Sequence, residues 1–319
     1  MNNVLITLII AFLPYTTLLS QVEKIAWRGW QECYRISNKQ CEVIVDASCG
    51  GRVLSFSLGG KNIIFENALQ DGKTMKEWRI KHFEPDGGRF DYGPERKTQS
   101  IHNLSWVGEW KAEIVDNQTL RLTSATDTSL GMLTVREFRL HTDSAVLTIK
   151  LTGTNITNKP LVRHFWGRTL VKPGGMILLP VNPKSRFERG WGQILWEPDR
   201  IETSGPADDR IHLQSRIFLF HAVGNTFKGG TDGTDGWMAY SIEGLLFVKR
   251  FAAYPGQDYS GSDNMPVVFY SNGIFTEIEP CSPTYIVRPN SSISFSERWE
   301  LKAVPSASIS GDTIIQYIH

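Results

Sequence analysis

Short runs of alternating apolar and polar residues make up most of the chain beyond its first twenty residues. In AVLTIKLTGT, polar residues separate Leu147, Ile149 and Leu151, and this period of two predicts a strand with one buried face. Gly, Pro, Asn, Asp and Ser bound such runs, which indicates strands joined by turns. A helix is predicted only near NALQDGKTMKEW. The pattern therefore predicts an all-β protein, built as one large antiparallel β-sandwich.

The length and composition agree with a single domain. The chain has 319 residues, of which 41% are hydrophobic, and this is enough apolar material for one large core. No repeat of fixed period and no Pro- or Ser-rich linker divides it. We expect one β-sandwich domain over residues 21–319.

The first twenty residues differ in character from the rest. The segment VLITLIIAFLPYTTLLS is apolar, contains Pro14 and ends in small or polar residues before Gln21. This pattern is typical of a secretory signal peptide, and an uncleaved anchor is the alternative. We expect residues 1–20 to be removed and the mature protein, without a membrane span, to be exported to the periplasm or the extracellular space.

The charges are nearly balanced, with 34 Lys and Arg against 33 Asp and Glu and a formal net charge of +1 at pH 7. No segment carries a block of like charge of the kind that attracts nucleic acid or anionic lipid. We therefore expect no nucleic-acid partner.

Four cysteines fit an exported protein that has one disulfide or none. Cys33 and Cys41 flank the turn-like SNK of CYRISNKQC, so a hairpin there could join them. Alternatively, all four are small buried apolar residues. No CxxC spacing indicates zinc. The Asp-rich loops FKGGTDGTDGW and AYPGQDYSGSDN could bind calcium, but they lack a full DxDxDG spacing, and turn chemistry explains them as well. We expect no metal.

Two predicted strands each place reactive side chains on one face. Glu277 and Glu279 share a face of the strand in FTEIEP, and His164, Trp166 and Arg168 share a face in LVRHFWGRTLV. An indole can stack on the apolar face of a sugar, and Arg can donate hydrogen bonds to its oxygens. His and Glu can exchange protons near neutral pH. These side chains predict a binding surface for a carbohydrate ligand.

Two like charges on one face need compensation. If the two strand faces meet in one sheet, Arg168 together with Arg89 or Lys249 would stabilise the acid pair. Each residue also has a structural interpretation. The His is often a hydrogen-bonded structural residue, the Trp a core residue, and the two Glu a solvated face. Glu297, on an otherwise apolar strand face, is expected to form a structural ion pair.

Three segments, in order along the chain, resemble the galactose mutarotase-like supersandwich, and within it the DUF4380 group of exported bacterial proteins. They are DASCGGRVLSFSLGGKNIIFEN, TNITNKPLVRHFWGRTL, and an E-x-E-x-x-S-P followed by R-P-N-S-S and E-R-W-E-L. The resemblance extends over most of the mature chain. It implies the fold more strongly than any activity.

Aldose epimerases of this fold use a late Glu as the base for the anomeric hydroxyl and a mid-chain His as the acid at the ring oxygen. The resemblance implies that Glu277 is the base, with Glu279 as a rival, and that His164 is the acid. It also implies that Arg89 contacts the sugar. The epimerase run N-L-T-N-H-x-Y-F is replaced here by LVRHFWGRT, so one usual His has no clear counterpart.

Three functions remain open. The first is an epimerase of the mutarotase type, which needs no metal or cofactor. The second is cleavage of a polysaccharide next to a uronic acid, in which Arg168, Arg89 and Lys249 neutralise the carboxylate and Tyr259 or a His takes the proton. The third is a glycan-binding module without turnover, in which Trp and Tyr side chains form stacking platforms.

Overall fold

The computed structural model of the protein describes residues 21–94, 103–195, 200–202, 208–305 and 311–318. The predicted signal peptide lies outside these ranges. The strands are β1 (Gln21–Trp27), β2 (Trp30–Ser37), β3 (Cys41–Asp46), β4 (Arg52–Leu58), β5 (Lys61–Asn62), β6 (Asp91–Gly93), β7 (Lys111–Ile114), β8 (Thr119–Thr123), β9 (Met132–Leu140), β10 (Val146–Asn155), β11 (Leu161–Trp166), β12 (Thr169–Val171), β13 (Met176–Pro180), β14 (Gly192–Leu195), β15 (Arg200–Glu202), β16 (Ile211–Gln214), β17 (Ile217–His221), β18 (Phe227–Thr231), β19 (Trp237–Ile242), β20 (Leu245–Phe251), β21 (Val267–Ser271), β22 (Thr276–Pro280), β23 (Tyr285–Val287) and β24 (Ser292–Ala303). The helices are α1 (Met75–Ile80), α2 (Asn103–Val107) and α3 (Gly311–Ile318), with 3-10 turns at Ala68–Gln70 and Ser260–Ser262.

The strands form four antiparallel sheets in the described part of the chain. A ten-stranded sheet has the order β16-β17-β13-β19-β20-β24-β10-β9-β8-β7, and a six-stranded sheet has the order β12-β22-β21-β18-β14-β15. A five-stranded sheet contains β1 to β5 in sequence order, and a three-stranded sheet has the order β23-β11-β6. The predicted all-β, antiparallel sandwich is confirmed.

One large cluster of buried apolar side chains includes residues from all four sheets. Val43, Leu147, Phe165 and Phe269 represent the five-, ten-, three- and six-stranded sheets in it, and all four are fully buried. Each such side chain contributes about 1.5–3 kcal/mol to folding by leaving water. The sheets are therefore held together by a common core, which gives the site described below a rigid support.

The predicted helical segment forms one 3-10 turn and then α1. Thr74 caps this helix, because its hydroxyl accepts from the Lys76 N–H at 3.3 Å and its own N–H donates to the Glu77 carboxylate at 2.9 Å. Met75 and Trp78 then pack on the outer face of the five-stranded sheet. None of the described helices is long and apolar enough to cross a membrane.

Helix α3 covers part of the outer face of the ten-stranded sheet. Ile314 and Ile318 pack there in a second apolar cluster. At the last turn, Arg250 donates to the Ile318 carbonyl oxygen, and the Lys302 ammonium donates to that of Tyr317 at 2.6 Å. Cations at this end suit both the free carbonyl groups and the helix dipole.

Of the two alternatives for the cysteines, the structure has the one without a bridge between Cys33 and Cys41. In the β2–β3 ladder Cys33 lies opposite Asp46, at the far end of β3, whereas Cys41 begins β3 beside the turn. All four cysteines are free and buried, which agrees with the alternative of small apolar residues. The register of the hairpin therefore decides against the bridge.

Aspartates of the two Gly- and Asp-rich loops serve as local hydrogen-bond acceptors. Asp232 accepts from the Ser185 hydroxyl at 2.7 Å and the Arg186 N–H at 2.8 Å, and Asp258 accepts from the Ser260 N–H at 2.8 Å. Among the described residues, no three His, Cys, Asp or Glu side chains come together as metal ligands. Turn chemistry accounts for these two aspartates.

Candidate functional site

Strand β22 carries the acid pair in the middle of the molecule. It lies between β12 and β21, and its alternate residues point to opposite faces of the six-stranded sheet. Ile278 joins the core, so Glu277 and Glu279 project from the other face, which we call the site face. Directly across on β21 lie Tyr270 and Val268. Both carboxyl groups are buried, with exposures of 1% for Glu277 and 0% for Glu279.

Arg168 is the main cation opposite Glu277. Its Nη2 lies 2.7 Å from Oε1 and 2.8 Å from Oε2 of that carboxylate. The same guanidinium contacts Asp91 at 2.8 Å and Glu84 at 2.7 Å. Arg89 approaches Glu277 at 3.7 Å. Burial alone would raise the pKa of Glu277, but Arg168, the hydrogen bond with the neighbouring Glu and Arg89 together lower it. Glu277 is thus held as a carboxylate.

A cover of residues from outside the strand encloses this ion network. The Arg89 guanidinium lies 4.4 Å from the centroid of the Trp106 ring, and the Trp106 N–H donates to Asp91 at 2.6 Å. Arg89 also pairs with Glu84 at 2.5 Å. The Glu84 side chain is 42% exposed, whereas those of Asp91 and Arg89 are 3% exposed. The network therefore meets solvent at Glu84, and Glu277 lies beneath it.

Glu279 has other partners than its neighbour. Its Oε2 accepts from the Trp166 indole N–H at 2.8 Å. Its Oε1 accepts no hydrogen bond from the described groups and lies 3.8 Å from the Arg168 Nε. Burial raises the pKa of Glu279 well above its usual range, the Glu277 charge raises it further, and Lys228 opposes this. The pKa values of the two neighbouring carboxyl groups are thus moved in opposite directions.

His164 is wedged between two glycines. It lies opposite Gly93 in the β11–β6 ladder and is 1% exposed. A Cβ added to Gly93 would lie 1.6 Å from its Nε2, and one added to Gly261 would lie 2.6 Å from its Cδ2. Nδ1 lies 3.2 Å from the Phe165 carbonyl oxygen, while Nε2 makes no hydrogen bond of normal geometry. Burial lowers the pKa of His164 to about 4, so the ring is neutral at pH 7.

A cavity of about 300 Å³ lies along β11, with walls from β14, β18, β21 and the loop 260–263. Exposure along the strand falls from 44% at Val162 to 1% at His164 and 5% at Trp166. The cavity lining on this strand therefore runs from a half-exposed residue at Val162 to buried residues at His164 and Trp166. His164 and Trp166 line it, whereas Glu277 and Glu279 do not.

Lys228 is a cavity residue that sequence reasoning missed. It lies on β18 opposite Tyr270, which itself lies opposite Glu277, so all three side chains project from the site face. Its ammonium lies 4.5 Å from the centroid of the Trp166 ring, and the residue is 6% exposed. The Gly-rich run FKGGT has no alternation that would have singled it out.

Two predicted residues are not brought to the site. Lys249 is fully buried on the core side of the six-stranded sheet, where its ammonium pairs with Glu297 at 3.0 Å and donates to the Thr169 hydroxyl at 2.9 Å. Its ion pair is thus with Glu297, which forms the structural ion pair expected of it, and the charge of Glu279 acts on the ammonium from further away. The Tyr259 hydroxyl accepts from the Tyr254 N–H at 3.0 Å and does not line the cavity.

The other predicted residues do come together. Arg89, Arg168 and Glu277 form the ion network, and Trp166 links it to the cavity through Glu279. His164 lies beside this group as a cavity wall. Sequence reasoning missed the acids of the network, Glu84 and Asp91, because they follow an irregular segment without periodicity; the mixed acids and arginines of EPDGGRFDYG were the only signal.

No protein-family model matches the chain, and no curated protein sequence does. The narrower likeness to the DUF4380 group therefore stays a prediction.

Solved structures do match the chain. A galactose mutarotase-like protein from Lactobacillus casei has a TM-score of 0.56 at 10% identity, over 85% of this chain and 100% of its own. One from Clostridium acetobutylicum has a TM-score of 0.56 at 9% identity, over 90% and 99%. A proposed aldose 1-epimerase from Escherichia coli K12 has a TM-score of 0.56 at 11% identity, over 85% and 99%. The chain has the galactose mutarotase-like fold.

Proposed function

We propose that this protein is an exported carbohydrate-binding protein whose ligand occupies the cavity beside His164 and Trp166. The observation that carries the proposal is the cavity that His164 and Trp166 line, in which His164 has a buried Nε2 without a hydrogen bond of normal geometry. Such an atom costs free energy unless a ligand or water satisfies it. A sugar hydroxyl is a suitable donor, and the Trp166 indole offers an apolar surface for the ring.

We propose binding without turnover because the predicted acid–base pair is poorly suited to proton transfer. Glu277 is tied to Arg168 and lies outside the cavity lining, so it cannot reach an anomeric hydroxyl there without rearrangement. A general acid near neutral pH needs a pKa near 7. Burial lowers the pKa of His164 to about 4, so at pH 7 the ring is neutral and is not the imidazolium acid that such a step needs.

Aldose 1-epimerase activity is the second candidate. One observation favours it: Glu277 and Glu279 lie two residues apart on β22, and their surroundings lower the pKa of the first and raise that of the second, the separation on which acid–base pairs depend. Polysaccharide cleavage has less support. Arg168 and Arg89 are already paired with carboxylates, and Lys249 and Tyr259 lie away from the cavity.

The test uses mature protein from Gln21 onward and a panel of free aldoses, with binding and anomer exchange both followed by NMR. We expect binding that His164→Ala weakens by at least about tenfold, the loss of one hydrogen bond and its packing. The control is His212→Ala, since this His is exposed on β16. We expect no acceleration of anomer exchange.

Two results would contradict this proposal. If no aldose binds, the cavity is not a sugar site. If anomer exchange is accelerated and Glu277→Gln abolishes the acceleration while binding persists, the protein is an epimerase and Glu277 is its base.

A further inference from the structure

We propose that the sugar bound in this cavity carries an apolar substituent, an alkyl or aryl group, which lies on an apolar step formed by Val162 and Ile286. This inference rests on the proposed carbohydrate-binding function and specifies the class of ligand as a glycoside with an apolar aglycone. It does not depend on whether the sugar is turned over.

The apolar step is one cross-strand pair. Val162 of β11 lies directly opposite Ile286 of β23, and directly opposite residues of an antiparallel pair point to the same face. The exposures of the two residues are 44% and 73%. Two adjacent aliphatic side chains thus present a joint apolar surface to the solvent.

The apolar step faces the same side of the three-stranded sheet as the cavity. Val162 and His164 are alternate residues of β11, and both line the cavity. On β23, the residue after Ile286 is Val287, which is 1% exposed and points to the opposite face. Thr284, which immediately precedes β23, also lines the cavity. Ile286 is therefore a neighbour of two lining residues without itself lining the cavity.

The cavity has room for one sugar unit. Its volume of about 300 Å³ is at the lower limit for sites that enclose small ligands. In the proposed arrangement the sugar lies beside the buried His164 and Trp166. A group attached to the sugar extends along β11 past the half-exposed Val162 and contacts Ile286.

The apolar step suits an apolar group better than a second sugar. The side chains of Val and Ile form no hydrogen bonds, and neither offers the flat aromatic face on which a sugar ring stacks. Arg163, the cation of β11, belongs to the other face, where its Nη2 donates to the Leu130 carbonyl oxygen at 2.8 Å. An apolar group on the step is stabilised because it leaves water together with the two exposed side chains.

The experiment compares methyl and hexyl glycosides of glucose and galactose, in both anomeric forms, by calorimetry below their micelle concentrations. We expect the hexyl glycoside of at least one sugar to bind about 10- to 60-fold more tightly than the methyl glycoside. The reason is that each buried CH₂ group is worth roughly fourfold in affinity, and two or three such groups should contact the step. Cellobiose and lactose, in which the second unit is a sugar, should gain less than the hexyl glycosides.

Threonine substitutions test the two residues of the step. Ile286→Thr keeps a β-branched side chain but adds a hydroxyl, so it should lower the ratio of hexyl to methyl affinity. Val162→Thr together with Ile286→Thr should bring this ratio below about threefold. Leu213→Thr is the matched control, because this residue is 53% exposed on β16 and its replacement should leave the ratio unchanged. Circular dichroism of each variant checks that it is folded.

The inference is overturned if hexyl and methyl glycosides bind equally, if the gain survives the double substitution, or if cellobiose or lactose gains as much as the hexyl glycosides. Binding of free aldoses without binding of any glycoside would also overturn it. All of these outcomes leave the carbohydrate-binding function intact, whereas absence of binding to every sugar and glycoside removes both proposals.

Discussion

The two neighbouring glutamates on β22 differ in their partners. Arg168 binds both oxygens of Glu277 and lowers its pKa, while burial against Trp166 and the charge of Glu277 raise the pKa of Glu279. The sequence showed two acids on one strand face and suggested cations as their compensation. It could not show that the pKa values of the two acids move in opposite directions, because burial and partners are set by residues distant in the chain.

Amide substitutions should separate the two glutamates. Glu279→Gln keeps a neutral donor group, so we expect it to change the free energy of unfolding by less than about 1 kcal/mol. Glu277→Gln leaves the buried guanidinium of Arg168 without its main counter-charge, so we expect a loss of about 3–5 kcal/mol. Urea unfolding at pH 7 measures both. Equal losses, or a larger loss for Glu279→Gln, would contradict the opposite pKa shifts of the two glutamates.

The depressed pKa of His164 predicts a pH dependence of stability. Below about pH 6.5 the unfolded chain binds a proton at this residue, and the folded protein resists it until about pH 4. Stability therefore falls as the pH is lowered through this window, by up to about 3 kcal/mol from this residue. His164→Asn should lack that component, and His212→Asn should keep it. Parallel stability curves for wild type and His164→Asn between pH 7 and pH 4 would refute this.

At the scale of elements, strand β11 links two sheets. It pairs with β6 and β23, and after Gly167 the chain continues as β12 in the six-stranded sheet. Arg168 lies between the two strands, and its guanidinium is 5.1 Å from the centroid of the Trp166 ring, so the two side chains that period two placed together do lie together. Lys249 shows the limit of the same reasoning. Alternation assigns a residue to a face of its strand, but the packing of sheets decides which face is the core.

The close approach of β6 to β11 should appear as coupling between Gly93 and His164. Gly93→Ala places a Cβ where the imidazole lies, so we expect a large loss of stability in wild type. In the His164→Ala background the space is free, and the same change should cost less by at least about 1 kcal/mol. A double-mutant cycle of unfolding free energies measures the difference. Additive effects would mean that the ring and the glycine do not constrain each other.

For the whole molecule, local patterns were sufficient for the class of fold but not for the site. Period-two runs such as that of β10 identify strands because half-buried strands must alternate. The pairing of those strands depends on contacts between residues far apart in sequence. The interpretations that failed, and the site residues that were missed, depended on such contacts. The hairpin register separates Cys33 from Cys41. An irregular segment brings Asp91 to Arg168, the cation that pairs with Glu277. Lys228 needed the order of the six-stranded sheet before its position was visible.

The fall in exposure along β11 has a consequence for long ligands. Val162 is 44% exposed, and Ile286, its partner across the ladder, is 73% exposed, whereas Trp166 is 5% exposed, so a ligand that enters the proposed site past Val162 meets buried residues at Trp166. A polymer that meets buried residues within the site cannot pass through it and leave on the other side. In the proposed sugar site, a linear polysaccharide would therefore bind through its terminus, and segments from the middle of the polymer would not bind. Binding would then depend on the concentration of chain ends and not on the mass of polymer. A partly digested polymer would therefore compete for the site better than the same weight of intact polymer.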